Sequence, residues 1–182
     1  MVATAANLNV AIPDNAYTGA LSSMACVNVV VTAADCPNII TAVSVTADLT
    51  HTWIGDLVIK LVHPDNTIVT LMSRPGFIEA LDNGDDASDE SADLAAGFPI
   101  TFASGAPTSA ETMGATLLDS GSGVVCKDDS LCSYAPNAGA AAAGTLATFN
   151  AKAPFGTWRF CVGDSGADDT GTINRVTLTI SR

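Results

Sequence analysis

Apolar and polar residues alternate with a period of two along much of this chain. Residues 41–50 are the clearest case, in which every second side chain is small and apolar: Val43, Val45, Ala47 and Leu49. Successive side chains of an extended strand point to opposite faces, so such alternation is typical of a strand with one buried face. The pattern therefore predicts a half-buried β-strand over residues 41–50.

Other β-forming runs are separated by turn signals. They predict strands at residues 57–63, 68–73, 157–162 and 173–180, and shorter strands at 7–11, 27–32 and 100–102. Residues 64–67 read Pro-Asp-Asn-Thr, which predicts a hairpin turn because proline presets a turn φ and Asp and Asn tolerate the rest. No segment longer than ten residues shows a convincing helical repeat. Several short strands joined by turns favour an all-β fold of two packed antiparallel sheets.

Length and composition indicate a single domain over residues 1–182, since 48% of the residues are apolar and no linker divides the chain. Between Phe77 and Ala147 the sequence is loop-like, with small, polar and acidic residues. Seven basic residues against nineteen acidic ones leave a net charge of −12. Nucleic acid and anionic membrane surfaces repel such a protein, so both are excluded as partners. The sequence contains no apolar run of about 18 residues, so it predicts no membrane span.

The five cysteines predict disulfides rather than a metal site, because there is no Cys-x-x-Cys and only two histidines accompany them. Two close pairs, Cys26–Cys36 and Cys126–Cys132, are the expected bridges, although other pairings stay open. Cys161 is then either a half-buried free thiol or bridged to Cys126 or Cys132. Disulfides indicate an oxidising compartment, so we expect a secreted protein. No basic residue precedes Lys60, so we expect no signal peptide at Met1 and interpret the chain as part of a longer protein.

Acidic residues are concentrated between Glu79 and Asp93, where seven carboxylates occur in fifteen residues with no basic residue among them. Calcium takes six to eight oxygen ligands, and such a loop supplies them. The candidate ligands in the loop are Asp82, Asp85, Asp86, Asp89 and Glu90. The alternative is a solvated acidic loop. A second acidic turn, at Asp164, Asp168 and Asp169, is expected to cap a hairpin.

We expect no catalytic activity. Histidine occurs only at positions 51 and 63, and Ser165 lacks the Gly-x-Ser-x-Gly surroundings of a reactive serine. Trp158 shares a strand face with Phe160 and Val162 and is expected to anchor the core. Cys161 lies on the opposite face, outward or under a loop. Trp53 is expected to pack over one end of the sandwich, with a role in a contact surface as the alternative.

Three blocks of sequence resemble the P domain, or homo B domain, of proprotein convertases and bacterial subtilisin-like proteases. The first comprises residues 12–23. The second runs from residue 43 to 76 and contains His51-Thr-x-x-Gly55-Asp56-Leu57, and the third contains Gly156-Thr-Trp158 and Asp169-Thr-Gly-Thr-Ile-Asn174. Their order and spacing match the whole domain. The chain departs from the family in a loop-rich insertion at about residues 104–143 and in Val176, where the family usually has an aromatic residue.

The resemblance implies a jelly-roll-type β-sandwich of the galactose-binding-like kind, with no catalysis of its own. It implies an accessory domain that aids the folding, stability or specificity of a protease catalytic domain in the same parent chain, which is expected to be a serine-type endopeptidase. It also implies bound calcium and adds Asp56 to the candidate ligands. The alternative function is an autonomous module that binds an extracellular protein or glycan through the loops around Trp53 and residues 79–93. A purely structural or secretion-related tail is the third interpretation.

Overall fold

The computed structural model describes residues 1–32, 39–78, 80–84, 87–117, 123–137 and 145–182. The described residues form eleven strands and four short 3-10 helices, and none of them lies in an α-helix. The strands are β1 (Val2–Ala5), β2 (Val10–Ala11), β3 (Ala25–Val31), β4 (Ala42–His51), β5 (Leu57–Val62), β6 (Ile68–Ser73), β7 (Ile100–Ala103), β8 (Thr108–Ser109), β9 (Ser133–Ala135), β10 (Gly156–Asp164) and β11 (Gly171–Ser181). The 3-10 helices are Leu21–Ser23, Ile54–Asp56, Ala110–Thr112 and Leu146–Phe149.

The strands form two sheets, as predicted for a β-sandwich. The larger has seven strands in the order β1-β11-β4-β7-β9-β8, with β2 also paired to β11. The smaller has four strands in the order β3-β10-β5-β6. All pairings are antiparallel except those of β9, which runs parallel to β7 and β8. The all-β architecture is therefore confirmed, with two parallel pairings that the sequence did not indicate.

The buried core between the sheets follows the predicted alternation. Along β4, the apolar residues from Val43 to Leu49 are at most 5% exposed, while the intervening polar residues are half-buried. Trp158 on β10 is fully buried, and its Nε1 donates to the carbonyl oxygen of Pro154 at 2.9 Å. Its ring packs edge-on against Phe149 and His63. The prediction that Trp158 anchors the core is confirmed.

The smaller sheet buries its second face as well. All six residues of β5 are buried, and Val58 and Val62 contact Tyr17, Met24 and Cys161 in a second apolar cluster. The segment before β3, which carries Tyr17 and Met24, therefore covers the outer side of β5 and β10. Cys161 lies under this segment, in agreement with one of the two positions expected for it.

The register of β3 and β10 corrects one predicted disulfide. Cys26 lies directly opposite Cys161 across this antiparallel pair, with 4.1 Å between their Cα atoms, and the two are disulfide-bonded. The predicted Cys26–Cys36 pairing is therefore wrong, and Cys36 lies outside the described residues. Cys161 is neither free nor bridged to the insertion. The Cys126–Cys132 bridge is present as predicted.

The other differences are local. Residues 7–11 were expected to form a strand, but only β2 forms there, because Asn7 and Asn9 both adopt positive φ values. β1 was not predicted, and it pairs with β11 from residue 2 to residue 5. The insertion at 104–143 contributes β8 and β9 to the larger sheet and places Tyr134 in the core.

Candidate functional site

Three polar residues are buried together where β4 and β10 end. His51 closes β4 and Asp164 closes β10, and their side chains are fully buried. Nε2 of His51 lies 3.1 Å from Oδ2 of Asp164, and Nδ1 lies 2.9 Å from the carbonyl oxygen of Trp53. The amide of Gly166 donates to Oδ1 of Asp164 at 2.9 Å. Buried polar groups are normally paired in this way, so His51 and Asp164 have a structural explanation.

Asp56, the third residue, lacks such a pairing. It immediately precedes β5, and Leu57 lies opposite Asp164 in the register of β5 and β10. Its carboxylate lies against Gly166, since a Cβ placed on that glycine would be 2.3 Å from Cγ of Asp56. Asp56 is only 3% exposed, and no hydrogen-bond donor of the described residues reaches its carboxylate.

Burial therefore raises the pKa of Asp56 from 3.8 to about 7, and the negative charges of Asp164, Asp169 and Asp14 contribute to the increase. His51 opposes it. A carboxylate surrounded by other carboxylates is stabilised by a proton or by a cation. Burial and Asp169 also raise the pKa of Asp93, so the excess of negative charge extends across this end of the sandwich.

Ser165 contributes a second unpaired group here. Its amide donates to the carbonyl oxygen of Asp56 at 2.9 Å, but its Oγ is buried without a hydrogen-bond partner. A catalytic serine requires a base that accepts its proton. Both ring nitrogens of His51 instead contact Asp164 and Trp53. His51 is therefore not available to Ser165 as a general base.

The acidic segment runs beside Asp56, as the resemblance implies, but its side chains are distributed differently from a single site. Gly55 donates its amide to the carbonyl oxygen of Glu90 at 3.1 Å, which places the two backbones side by side. Asp82 forms an ion pair with Lys60 at 2.7 Å and accepts a hydrogen bond from Tyr17. Asp89 is exposed, and Glu90 is buried. Asp85 and Asp86 lie outside the described residues.

No three His, Cys, Asp or Glu side chains of the described ranges are grouped so that they could hold a metal ion. The predicted ligands Asp56, Asp82, Asp89 and Glu90 are thus not assembled around one point, and the metal site stays a prediction. The donor chemistry at Asp56 nevertheless fits a hard cation. The carboxylate of Asp56 and the hydroxyl of Ser165 are buried oxygen donors without partners, and calcium prefers oxygen ligands.

Sequence reasoning identified Asp56 but missed the grouping of His51, Asp164 and Ser165 around it. The available signal was the repeated Gly-Asp dipeptide, at residues 55–56 and 163–164, at the ends of two predicted strands. Adjacent antiparallel strands bring the start of one beside the end of the other. Asp164 does bind the amide of its own turn, as was expected of a hairpin cap.

Aromatic side chains do not form an exposed platform. Trp53 is half-buried and donates Nε1 to the carbonyl oxygen of Ser88 at 2.8 Å, which fixes it against the acidic segment. Phe98 is the one aromatic residue classed as exposed, at 37%, and all ten aromatic residues lie within the described ranges. Trp53 thus packs over this end of the sandwich, as expected.

No helix within the described ranges is long and apolar enough to cross a membrane.

Comparison with known proteins supports the resemblance. The family model of the proprotein convertase P-domain matches residues 40–95, which include β4 to β6 and the acidic segment. Two crystal structures of a serine protease of Aeromonas sobria, one in complex with the chaperone, have the same fold. Their TM-scores are 0.54 and 0.53, at 14% and 15% sequence identity. Both matches cover 99% of this chain and 26% of the protease chain.

At these identities the likeness to the two protease structures shows the fold alone. No curated protein matches the sequence. The chain spans about a quarter of the length of the proteases that it resembles in structure. The resemblance to the P domain is therefore confirmed, through a family match over residues 40–95 and a shared fold over nearly the whole chain.

Proposed function

We propose that this chain is a non-catalytic accessory domain of a secreted protease and that it aids the folding, stability or specificity of an adjacent catalytic domain. The observation that carries this proposal is the combination of a P-domain family match with a fold match to one quarter of a serine protease chain. A piece that folds around its own core but equals a quarter of such a protein is expected to work beside the remaining parts. Two disulfides support an oxidising compartment.

The hydrogen bonds of the buried polar residues support a role in which this domain catalyses no reaction itself. Hydrolysis by a serine nucleophile needs a base hydrogen-bonded to that serine. His51 and Asp164 instead bind each other and the backbone, and His63 packs against Trp158. We therefore assign both histidines to the structure of the domain.

The direct test is deletion of residues 1–182 from the parent protein. We expect the truncated protease to yield at least about tenfold less active secreted enzyme, because the catalytic domain loses a folded neighbour. A point variant that disrupts only the domain core, Trp158→Ala, is expected to give the same loss. A parent protein without a protease domain, or a truncated protease with unchanged yield, stability and substrate preference, would refute the proposal.

We also propose that calcium stabilises the domain and that Asp56 is a ligand. The unpaired carboxylate of Asp56 and the hydroxyl of Ser165 would hold the ion, with main-chain carbonyls and water as the remaining ligands. Bound calcium would supply the positive charge that this end of the sandwich lacks. Asp82 is already neutralised by Lys60, so Asp56 supports the proposal better than the acidic loop does.

Thermal unfolding in excess EDTA and then in millimolar calcium tests this part. A ligand that binds only the folded state raises the midpoint, by several degrees at about a hundredfold excess over its Kd. We expect that rise in the wild-type domain and in Asp168→Asn, an exposed acid that serves as the charge-matched control, and not in Asp56→Asn. If Asp56→Asn retains the rise in midpoint, calcium binds to other ligands. If calcium does not raise the midpoint of the wild-type domain, the calcium proposal is wrong.

The rival function, an autonomous glycan-binding module, receives less support. Sugar-binding clefts are commonly lined by exposed aromatic rings, and the aromatic residues of this chain are buried or half-buried except for Phe98. Apolar side chains are instead exposed at Ile78 and Leu81, which are 96% and 66% accessible. Exposed aliphatic residues of this kind favour contact with another protein.

A further inference from the structure

An open cavity of about 540 Å³ lies beside the acidic segment, at the side of Glu90. Its walls combine apolar and acidic groups: Phe77, Ala87 and Ala115 on one hand, and Asp89 and Glu90 on the other. The cavity is large enough for an extended side chain of a bound protein. Its composition, apolar walls with carboxylates, is that of a pocket for a basic side chain.

Glu90 is the chemically unusual wall of this cavity. It is only 6% exposed, and its Oε1 is buried without a hydrogen-bond partner. Oε1 lies against Gly114, where a Cβ would be 2.6 Å away, and Gly114 directly precedes Ala115 of the cavity wall. The amide of Ala92 donates to the carboxyl group, which therefore has one polar partner but no counter-charge. A buried carboxylate without a positive partner is destabilising.

Arg74, the basic side chain that lies over Phe77 of the cavity wall, is not the counter-charge of Glu90. Arg74 is fully buried, donates Nη2 to the carbonyl oxygen of Leu81 and lies 5.4 Å above the ring of Phe77. None of the ion pairs recorded among the described residues involves Glu90.

The surroundings match a protein partner. Ile78 follows Phe77 directly and is 96% exposed, and Leu81 is 66% exposed, so the cavity has an apolar neighbourhood. Asp89 adds an exposed carboxylate among the cavity walls. With seven basic and nineteen acidic residues, the domain as a whole attracts positively charged segments.

We infer that this cavity binds a basic side chain, arginine or lysine, presented by a protein segment that packs over Ile78 and Leu81, with Glu90 as its ion-pair partner. The preference for a cationic side chain depends only on the residues of the cavity. That the side chain belongs to the adjacent catalytic domain is an extension that rests on the proposed function.

Amide chemical shifts of the isotopically labelled chain provide the test, with N-acetyl-L-argininamide as the probe and N-acetyl-L-citrullinamide as its uncharged counterpart. We expect the arginine probe to shift the amides of Phe77, Asp89, Glu90 and Ala115 with a Kd of about a millimolar, as for a single side chain. Citrulline is expected to bind at least about tenfold more weakly, because it lacks the charge.

Variants locate the interaction. Glu90→Gln keeps the shape of the side chain and is expected to weaken the arginine probe at least about tenfold. Asp89→Asn, an exposed change that leaves the fold intact, is expected to weaken it about two- to threefold, as for an exposed charge pair. Asp168→Asn removes the same charge elsewhere and is expected to leave the affinity unchanged.

Four results would overturn the inference: no shifts at the cavity, equal binding of arginine and citrulline, binding that survives Glu90→Gln, and displacement of the probe by calcium at the same amides. The last would assign Glu90 to a metal site. Deletion of the domain from the parent protease tests the proposed function separately, because that experiment does not depend on this cavity. An arginine-binding cavity in a domain whose deletion leaves the protease unchanged would retain this inference and refute the accessory role.

Discussion

The two disulfides are expected to differ greatly in their contributions to stability, because they close loops of very different lengths. Cys26 and Cys161 are 135 residues apart in sequence, whereas Cys126 and Cys132 are separated by 6. The chain-entropy relation gives about 5 kcal/mol for the first loop and about 2 kcal/mol for the second. Cys161 is also fully buried, so its replacement by alanine leaves a small void that adds about 1 kcal/mol.

Two matched double variants, C26A/C161A and C126A/C132A, each remove one of these disulfides. Domains of this size unfold with a free energy of about 5–15 kcal/mol, so losing about 6 kcal/mol leaves the first variant close to unfolding at 25 °C. The second is expected to lose about 2 kcal/mol and to remain folded. Urea unfolding followed by tryptophan fluorescence measures both, and peptide mapping of the unreduced protein checks the two pairings.

Equal losses of stability in the two double variants, or a larger loss in C126A/C132A, would contradict the dependence on loop length. A peptide map that links Cys26 to Cys36 would refute the pairing itself. A C26A/C161A variant with a much lower midpoint and a steeper slope of free energy against urea would support it, because removing a cross-link over 135 residues lets the unfolded chain expand.

Three further predictions concern the interior of the domain. In metal-free buffer the wild-type domain is expected to lose stability as pH rises from about 4 to 7. The folded state holds the proton of Asp56 up to a pKa of about 7, while the unfolded state releases it near 3.8. The loss is up to about 4 kcal/mol, and urea unfolding of Asp56→Asn is expected to show a weaker dependence of stability on pH. Trp158→Ala is expected to cost about 3–5 kcal/mol and to abolish near-UV circular dichroism signals, since the ring is fully buried. Asp82→Ala leaves the buried ammonium of Lys60 unpaired and is expected to lower the thermal midpoint more than K60M/D82A does.

The strands that lie across the centre of each sheet were predictable because their patterns report their own burial. β4 alternates strictly, and β10 carries Trp158, Phe160 and Val162 on the face that is buried. The edges were less predictable. β1 begins at Val2, which is 65% exposed, so its sequence contains little amphipathic signal. β8 and β9 comprise two and three residues, and they exist because a sheet edge is available to pair with.

Errors at the cysteines had a different origin. Sequence proximity favours Cys26–Cys36, since a short loop closes at a small entropic cost. The actual partner of Cys26 is fixed by the register of β3 and β10, which pairs residues 135 positions apart. Cys161 occupies an outward position by alternation, and it is buried because the segment containing Tyr17 and Met24 folds over it. Neither the register nor this cover is encoded in the local pattern around Cys161.

The candidate site also depends on contacts between residues that are distant in sequence. Asp56 was identified within its motif, but its carboxylate meets the turn at Gly166, which belongs to a different part of the chain. The resemblance grouped Asp56 with the acidic loop that contains Asp82 and Glu90. The strand register instead places it with Asp164, opposite Leu57. Motifs thus drew attention to single residues, while long-range pairing determined which of them meet.

The distribution of buried charge connects the two proposals. Asp82 pairs with Lys60 and Asp164 pairs with His51, so these two carboxylates have partners within the chain. Asp56 and Glu90 have none among the described residues, and burial raises the pKa of both. Seven basic residues cannot pair with nineteen acidic ones, so each of these two interior carboxyl groups either holds a proton or, under the two proposals, meets a positive charge from outside the domain. Under both proposals the domain is most stable when a cation and a basic partner are bound, which is the behaviour expected of a part that matures together with its neighbour.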